Sequence, residues 1–239
     1  MHHPYRRYRF LLPCILALIA TSAWGGEIQQ LPEPGSDQLG PGSPGVMATC
    51  TVGETRAATV NVGYGAAPGV EFYTLLNPAD CSACPSGLLQ LRAANFRART
   101  PSGVCTFTVE VSIVEAKAGP ACTLEPDPSH LVCAPVTASI TSPSTLTFTG
   151  SVPLPTNCCL SRPAFLRIRT VSAGSCGTVF WGHTSPCVPC RSFVQTTSTP
   201  LTEACALGLG NPTQSVDADC CDPTPGLHGT WGQLKMLYR

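Results

Sequence analysis

The residues with the most chemistry to offer are cysteines. Two C-x-x-C motifs, Cys81-Ser-Ala-Cys84 and Cys187-Val-Pro-Cys190, and two vicinal pairs, Cys158-Cys159 and Cys220-Cys221, stand among fifteen cysteines. Two such knuckles brought together would supply the four thiolates of a tetrahedral zinc site. One of them at a helix N-terminus would supply a low-pKa redox dithiol. About 100 residues separate the two motifs, and Pro85 and Pro189 suit turns better than helix starts. Cross-linking is therefore the expected role, with a metal- or redox-active cysteine protein as the alternative.

Other groups offer less. Asp217, Asp219 and Asp222 lie within six residues and are weak candidates for calcium, which takes several oxygen ligands. The spacing and closing Glu of an EF-hand are missing, so the stretch reads as a solvated acidic turn held by its cysteines. Glu71, Glu110 and Glu115 could furnish the two carboxylates a glycosidase needs, but nothing in the sequence pairs them. Beyond the leader the histidines are His130, His183 and His228, and no G-x-S-x-G, H-E-x-x-H or phosphate-binding glycine loop occurs. The expectation is no enzyme and no cofactor, with a secreted hydrolase as the alternative. For ligand contact the candidates are Trp181, His183 and Phe180, on a run read as the loop Phe180–Ser185, and Tyr64 between Gly63 and Gly65. An exposed aromatic there would suit a carbohydrate or protein ligand. The competing reading of Trp181 is a core residue.

These groups have to be held by the rest of the chain. Residues 1–25 have the outline of a signal peptide: a basic start with Arg6, Arg7 and Arg9, an apolar stretch Phe10–Ala20, then small residues. That stretch is too short to span a bilayer, so no transmembrane span is expected in the mature chain. Without the three leader arginines, eleven basic residues face fourteen acidic ones, a net charge of −3. This gives no footprint for nucleic acid or an anionic membrane. Export also removes Cys14 and leaves Cys50, Cys81, Cys84, Cys105, Cys122, Cys133, Cys158, Cys159, Cys176, Cys187, Cys190, Cys205, Cys220 and Cys221. An even count in an exported chain reads as up to seven disulfides, with connectivity undetermined by sequence. Neighbouring cysteines are poor partners for each other, so each member of a vicinal pair is expected to bond elsewhere.

Residues 26–46 are rich in Pro and Gly and read as an extended tether, with a short edge strand around Ile28 and Leu31 as the alternative. The body, 47–226, carries about ten short candidate strands separated by Gly, Pro, Asn or Asp. The clearest alternation runs through Phe107, Val109, Val111 and Ile113 on one face, with Thr108, Glu110 and Ser112 on the other. Leu166 and Ile168 alternate with Arg167 and Arg169 in the same way. Charged residues make up only 12% of the chain, against 22 Gly and 24 Pro, which argues against a helical protein. The predicted fold is all-β: two antiparallel sheets in a disulfide-rich sandwich, jelly-roll or Ig-like, with a short C-terminal tail at 227–239. The function implied is an exported structural or binding module at the cell surface, in the extracellular space or in the periplasm, with an unknown extracellular ligand or surface component as partner.

Overall fold

The computed structural model describes residues 29–32, 50–64, 69–144 and 146–221, with 29–32 and 60–64 described as backbone only. The leader, most of the tether, Asp222 and the tail lie outside the described residues.

Sixteen strands follow one another along the described chain: β1 (Gln29–Pro32), β2 (Cys50–Gly53), β3 (Val60–Tyr64), β4 (Glu71–Leu76), β5 (Leu89–Arg99), β6 (Cys105–Lys117), β7 (Glu125–Leu131), β8 (Val136–Ser142), β9 (Phe148–Pro153), β10 (Cys159–Leu160), β11 (Ala164–Ser172), β12 (Val179–Thr184), β13 (Ser192–Gln195), β14 (Thr202–Glu203), β15 (Asn211–Pro212) and β16 (Gln214–Cys220). They build two antiparallel sheets. The first runs β1-β3-β12-β5-β16-β2, with β9 and β10 also on β5 and β15 on β12. The second runs β14-β13-β4-β11-β6-β7, with β8 also on β6. Among the described residues helix is confined to three single 3-10 turns, and no helix is long and apolar enough to cross a membrane.

Period-two alternation explains how the sheets face each other. Val109, Val111 and Ile113 of β6 and Leu166 and Ile168 of β11 point into a shared core with Leu91 and Phe96 of β5, Trp181 of β12 and Val216 of β16. The outer face of the second sheet carries a smaller cluster of Tyr73, Val114, Phe165 and Phe193, closed by Cys122. Phe96 has room because its register partner on β9 is Gly150, where a Cβ would run into the ring.

Three segments depart from expectation. The stretch 131–140, rich in apolar and β-branched residues, reads in the sequence as one strand, but Leu131 ends β7 and Val136 opens β8, with Cys133-Ala-Pro135 between them. Proline cannot donate to a ladder, and Cys133 is tied to Cys158. β7 contains Pro126 and Pro128 and lies at the edge of its sheet, where missing N–H groups are tolerated. At the other end, Gln29–Pro32 of the expected tether pairs with Val60–Gly63 as the edge strand β1. The largest departure is β16. The stretch 217–222 reads in the sequence as an acidic turn, but Asp217 to Cys220 belong to a strand that starts at Gln214 and pairs with both β5 and β2 inside the first sheet.

Candidate functional site

The stretch Phe180–Ser185 is no exposed loop: its first five residues belong to β12, every residue of which is buried. Phe180, Trp181 and His183 are 4%, 1% and 0% exposed, so none of the three offers a surface to a ligand. Trp181 packs its ring 5.0 Å from that of Phe96 and 5.5 Å from that of Phe72, linking the two sheets. The glycine and histidine beside the aromatics gave this run the look of a turn. The strand keeps both because Gly182 lies close against Ala58 and Arg97, and His183 finds an acceptor. Tyr64 ends β3 opposite Val179, and its side chain lies outside the description.

His183 donates from Nδ1 to the Gly210 carbonyl at 2.7 Å, while Nε2 meets no partner and Phe72 packs edge-on at 5.5 Å. Burial disfavours the imidazolium and lowers its pKa to about 4 against an ordinary 6.5, although the Gly210 carbonyl pulls the other way. A depressed pKa in the folded state means that the unfolded chain takes up the proton first. Stability from this site is therefore complete above pH 6.5 and declines as pH falls toward 4, by about 3 kcal/mol in all. Denaturation of the oxidised protein across that range should show this loss, and His183→Asn should remove it. Parallel pH profiles for the two proteins would contradict the assignment.

The acidic candidates are dispersed or already partnered. Asp217 accepts from Thr51 Oγ1 at 2.9 Å and from Asn95 Nδ2 at 2.8 Å, across β2 and β5. Asp219 pairs with Arg92 at 2.6 Å. Because β16 alternates, the two carboxylates serve as cross-strand partners on one sheet face. They are not gathered into a calcium loop, and Asp222 lies outside the described residues. Glu71 and Glu110 meet around Arg167, at 4.0 and 2.6 Å, and the Tyr73 hydroxyl donates to Glu71. Burial and that hydrogen bond push the Tyr73 phenol up. A guanidinium lies between the two carboxylates, so the cluster joins neighbouring strands β4, β11 and β6. Glu115 pairs elsewhere, with Arg162 at 2.5 Å.

Twelve cysteines form six disulfides: Cys50–Cys81, Cys84–Cys220, Cys105–Cys176, Cys122–Cys190, Cys133–Cys158 and Cys187–Cys205. Each C-x-x-C divides its two sulfurs between different distant partners, so neither motif holds a thiolate for zinc or a dithiol for redox work. The two other cysteines among the described residues, Cys159 and Cys221, are each the second member of a vicinal pair, and their sulfurs lie 2.9 Å apart.

These cross-links concentrate at one end of the sandwich. Cys50–Cys81 and Cys84–Cys220 bracket the loop between β4 and β5, and Cys133–Cys158 anchors the chain entering β10. Between that loop and Ser161-Arg162-Pro163 lies an open groove of about 480 Å³. Asn77, Ser82, Ser86, Ser161 and Arg162 give it polar walls. A second hollow of about 230 Å³ shares Ser161, Arg162 and Pro163 and adds Cys159 and the exposed Leu131. Nothing in the sequence marked residues 77–87 as a wall, because the other wall lies some 75 residues further along the chain.

No family model matches the chain, and no curated protein matches it. Among solved structures, it is similar to that of the cysteine protease and lectin-like domains of Cwp84, a surface layer associated protein of Clostridium difficile. The two are 12% identical with a TM-score of 0.46, over 72% of this chain and 36% of that one. A weaker likeness, 12% identical with a TM-score of 0.24, is to an arabinose-bound MgGH51 α-L-arabinofuranosidase, over 53% of this chain and 17% of that one. The chain thus spans little more than a third of the first structure. At this level of similarity neither neighbour assigns a ligand or an activity. The chemistry of the chain itself says more about where it works: six disulfides among the described residues point to an oxidising, extracellular location.

Proposed function

We propose that the protein is an extracellular, non-catalytic binding module that presents its cross-linked loop end to a polar component of a cell surface, a protein segment or a carbohydrate. The observation that carries this reading is the groove between the β4–β5 loop and Ser161–Pro163, whose walls are fixed by disulfides on both sides. Loops held rigidly on a β scaffold are a common location for binding residues, since little ordering entropy is lost on contact. Phe72, Tyr73, Phe96, Phe107, Phe148, Phe165, Phe180, Trp181 and Phe193 are all buried, so recognition in this groove would work through hydrogen bonds and the Arg162 guanidinium.

The test is saturable binding of the labelled mature protein to intact cells of the producing organism and to a purified glycan panel. Ser161→Trp, which fills the groove from an exposed position, should weaken binding by at least about tenfold, roughly the loss of one good contact of 1.4 kcal/mol. Its melting temperature should stay near that of the parent. Equal binding by parent and variant, or no saturable binding by either, would remove this groove as the recognition site.

A further inference from the structure

We propose that Cys159 and Cys221 are a thiol–disulfide exchange site, closing as a seventh cross-link that small disulfides form and dithiols open while the other six stay intact. Three observations meet at this pair. The two sulfurs are in contact, 2.9 Å apart. Every other described cysteine is committed to a disulfide, so no alternative partner competes. And Cys159 is exposed, on the rim of the smaller hollow beside Leu131 and Arg162, where a reagent can reach its sulfur.

The vicinal arrangement explains why this pair should behave differently from its neighbours. Cys158, fully buried, faces inward to Cys133, and Cys220 bonds the buried Cys84. Alternation along a strand then turns Cys159 and Cys221 the other way. β10 lies on one side of β5 and β16 on the other, with Cys159 opposite Gln90 and Cys220 opposite Leu89. The Cys221 amide continues this ladder to the Leu88 carbonyl. Cys221 lies one residue past the end of β16, so a bond between the two sulfurs would form at that end, outside the core.

The exchange balances with a disulfide-bearing oxidant such as oxidised glutathione. Cys159 Sγ, as thiolate, attacks one glutathione sulfur, giving a mixed disulfide and releasing one glutathione thiolate. Cys221 Sγ then attacks Cys159 Sγ, forming the protein disulfide and releasing the second. Two electrons pass from the protein sulfurs to the glutathione disulfide, and the two thiol protons end on the two glutathione thiols. Burial, followed by contact with Cys159, pushes the Cys221 thiol up, which fits Cys159 as the first nucleophile. A dithiol reductant runs the sequence backwards.

The experiment uses the full mature chain. After incubation with oxidised glutathione under native conditions, peptide mass mapping should find Cys159 and Cys221 in one cross-linked pair. Graded dithiothreitol followed by iodoacetamide should then label these two at least about tenfold faster than any of the other twelve, since an exposed bridge is the easier one to attack. The Cys159→Ser/Cys221→Ser variant should keep the six other bridges and lose the fast-labelling class. The proposal is overturned if the two cysteines map to other partners, if they remain thiols after oxidation, or if they are reduced no faster than the rest.

Discussion

Replacing Trp181 by alanine should destabilise the oxidised protein by about 3–5 kcal/mol, the range for truncating a fully buried aromatic. The ring is 1% exposed and lies between Phe72 of the second sheet and Phe96 of the first. Its removal leaves a void between sheets whose cross-links limit how far they can close on it. Trp181→Phe keeps most of the apolar contact and should cost clearly less. Guanidinium denaturation at pH 8, well above the His183 pKa in both chain states, measures the change with almost no contribution from that titration. A ligand-contact role predicts the reverse pattern: near-normal stability with lost binding. A change below about 1 kcal/mol would contradict the core assignment.

The same residue shows what the sequence could and could not reveal. Strands with unbroken alternation were legible: Phe107, Val109, Val111 and Ile113 point inward as the pattern requires, and Leu166 and Ile168 do the same opposite Arg167 and Arg169. In β12 the sequence marks a strand only over Thr178–Gly182 and reads on into a loop, because Gly182 and His183 follow two aromatics and because all six residues of β12 are buried, so no polar face marks the alternation. The glycine is there for close approach and the histidine for its bond to Gly210, and both reasons are tertiary. In β16 the alternation was present, with Ser215, Asp217 and Asp219 outward and Val216 and Ala218 inward. Three carboxylates and two cysteines in a row drew the reading toward a turn. The partners of Asp217 and Asp219, namely Thr51, Asn95 and Arg92, come from strands more than 120 residues earlier.

The disulfide framework was legible as a count and illegible as a map. Residues adjacent in sequence point to opposite faces of a strand, which is why the vicinal pairs each send one sulfur inward and the other outward. That much follows from local geometry. Which inward sulfur meets which depends on strand order, and here the chain returns to β5 from β9, β10, β12 and β16. The groove is hidden for the same reason. Its two walls become neighbours only when β10 pairs with the start of β5.

The cross-link expected to matter most for stability is Cys84–Cys220. It closes the longest interval of the six described bridges, 136 residues, against 18 for Cys187–Cys205. Chain-entropy arguments assign about 5 kcal/mol to a closed loop of the first length and about 3 kcal/mol to the second. With Cys105–Cys176 and Cys187–Cys205 intact, the covalent path from Cys84 to Cys220 is already shortened, which brings the first figure down to about 4 kcal/mol. Cys84→Ala/Cys220→Ala avoids stray thiols and buried hydroxyls, and should lose this amount in denaturant titration, more than Cys187→Ala/Cys205→Ala. The loss should also be localised. β16 has β5 on one side and β2 on the other, and Cys220 is its last residue. Once it is released, that end can fray, so amide exchange should accelerate at Ala218 to Cys220 before it does in the middle of β6. Equal losses from the two double variants, with β16 amides as protected as in the parent, would mean that strand pairing alone holds this end of the sandwich and that the bridge is dispensable to it.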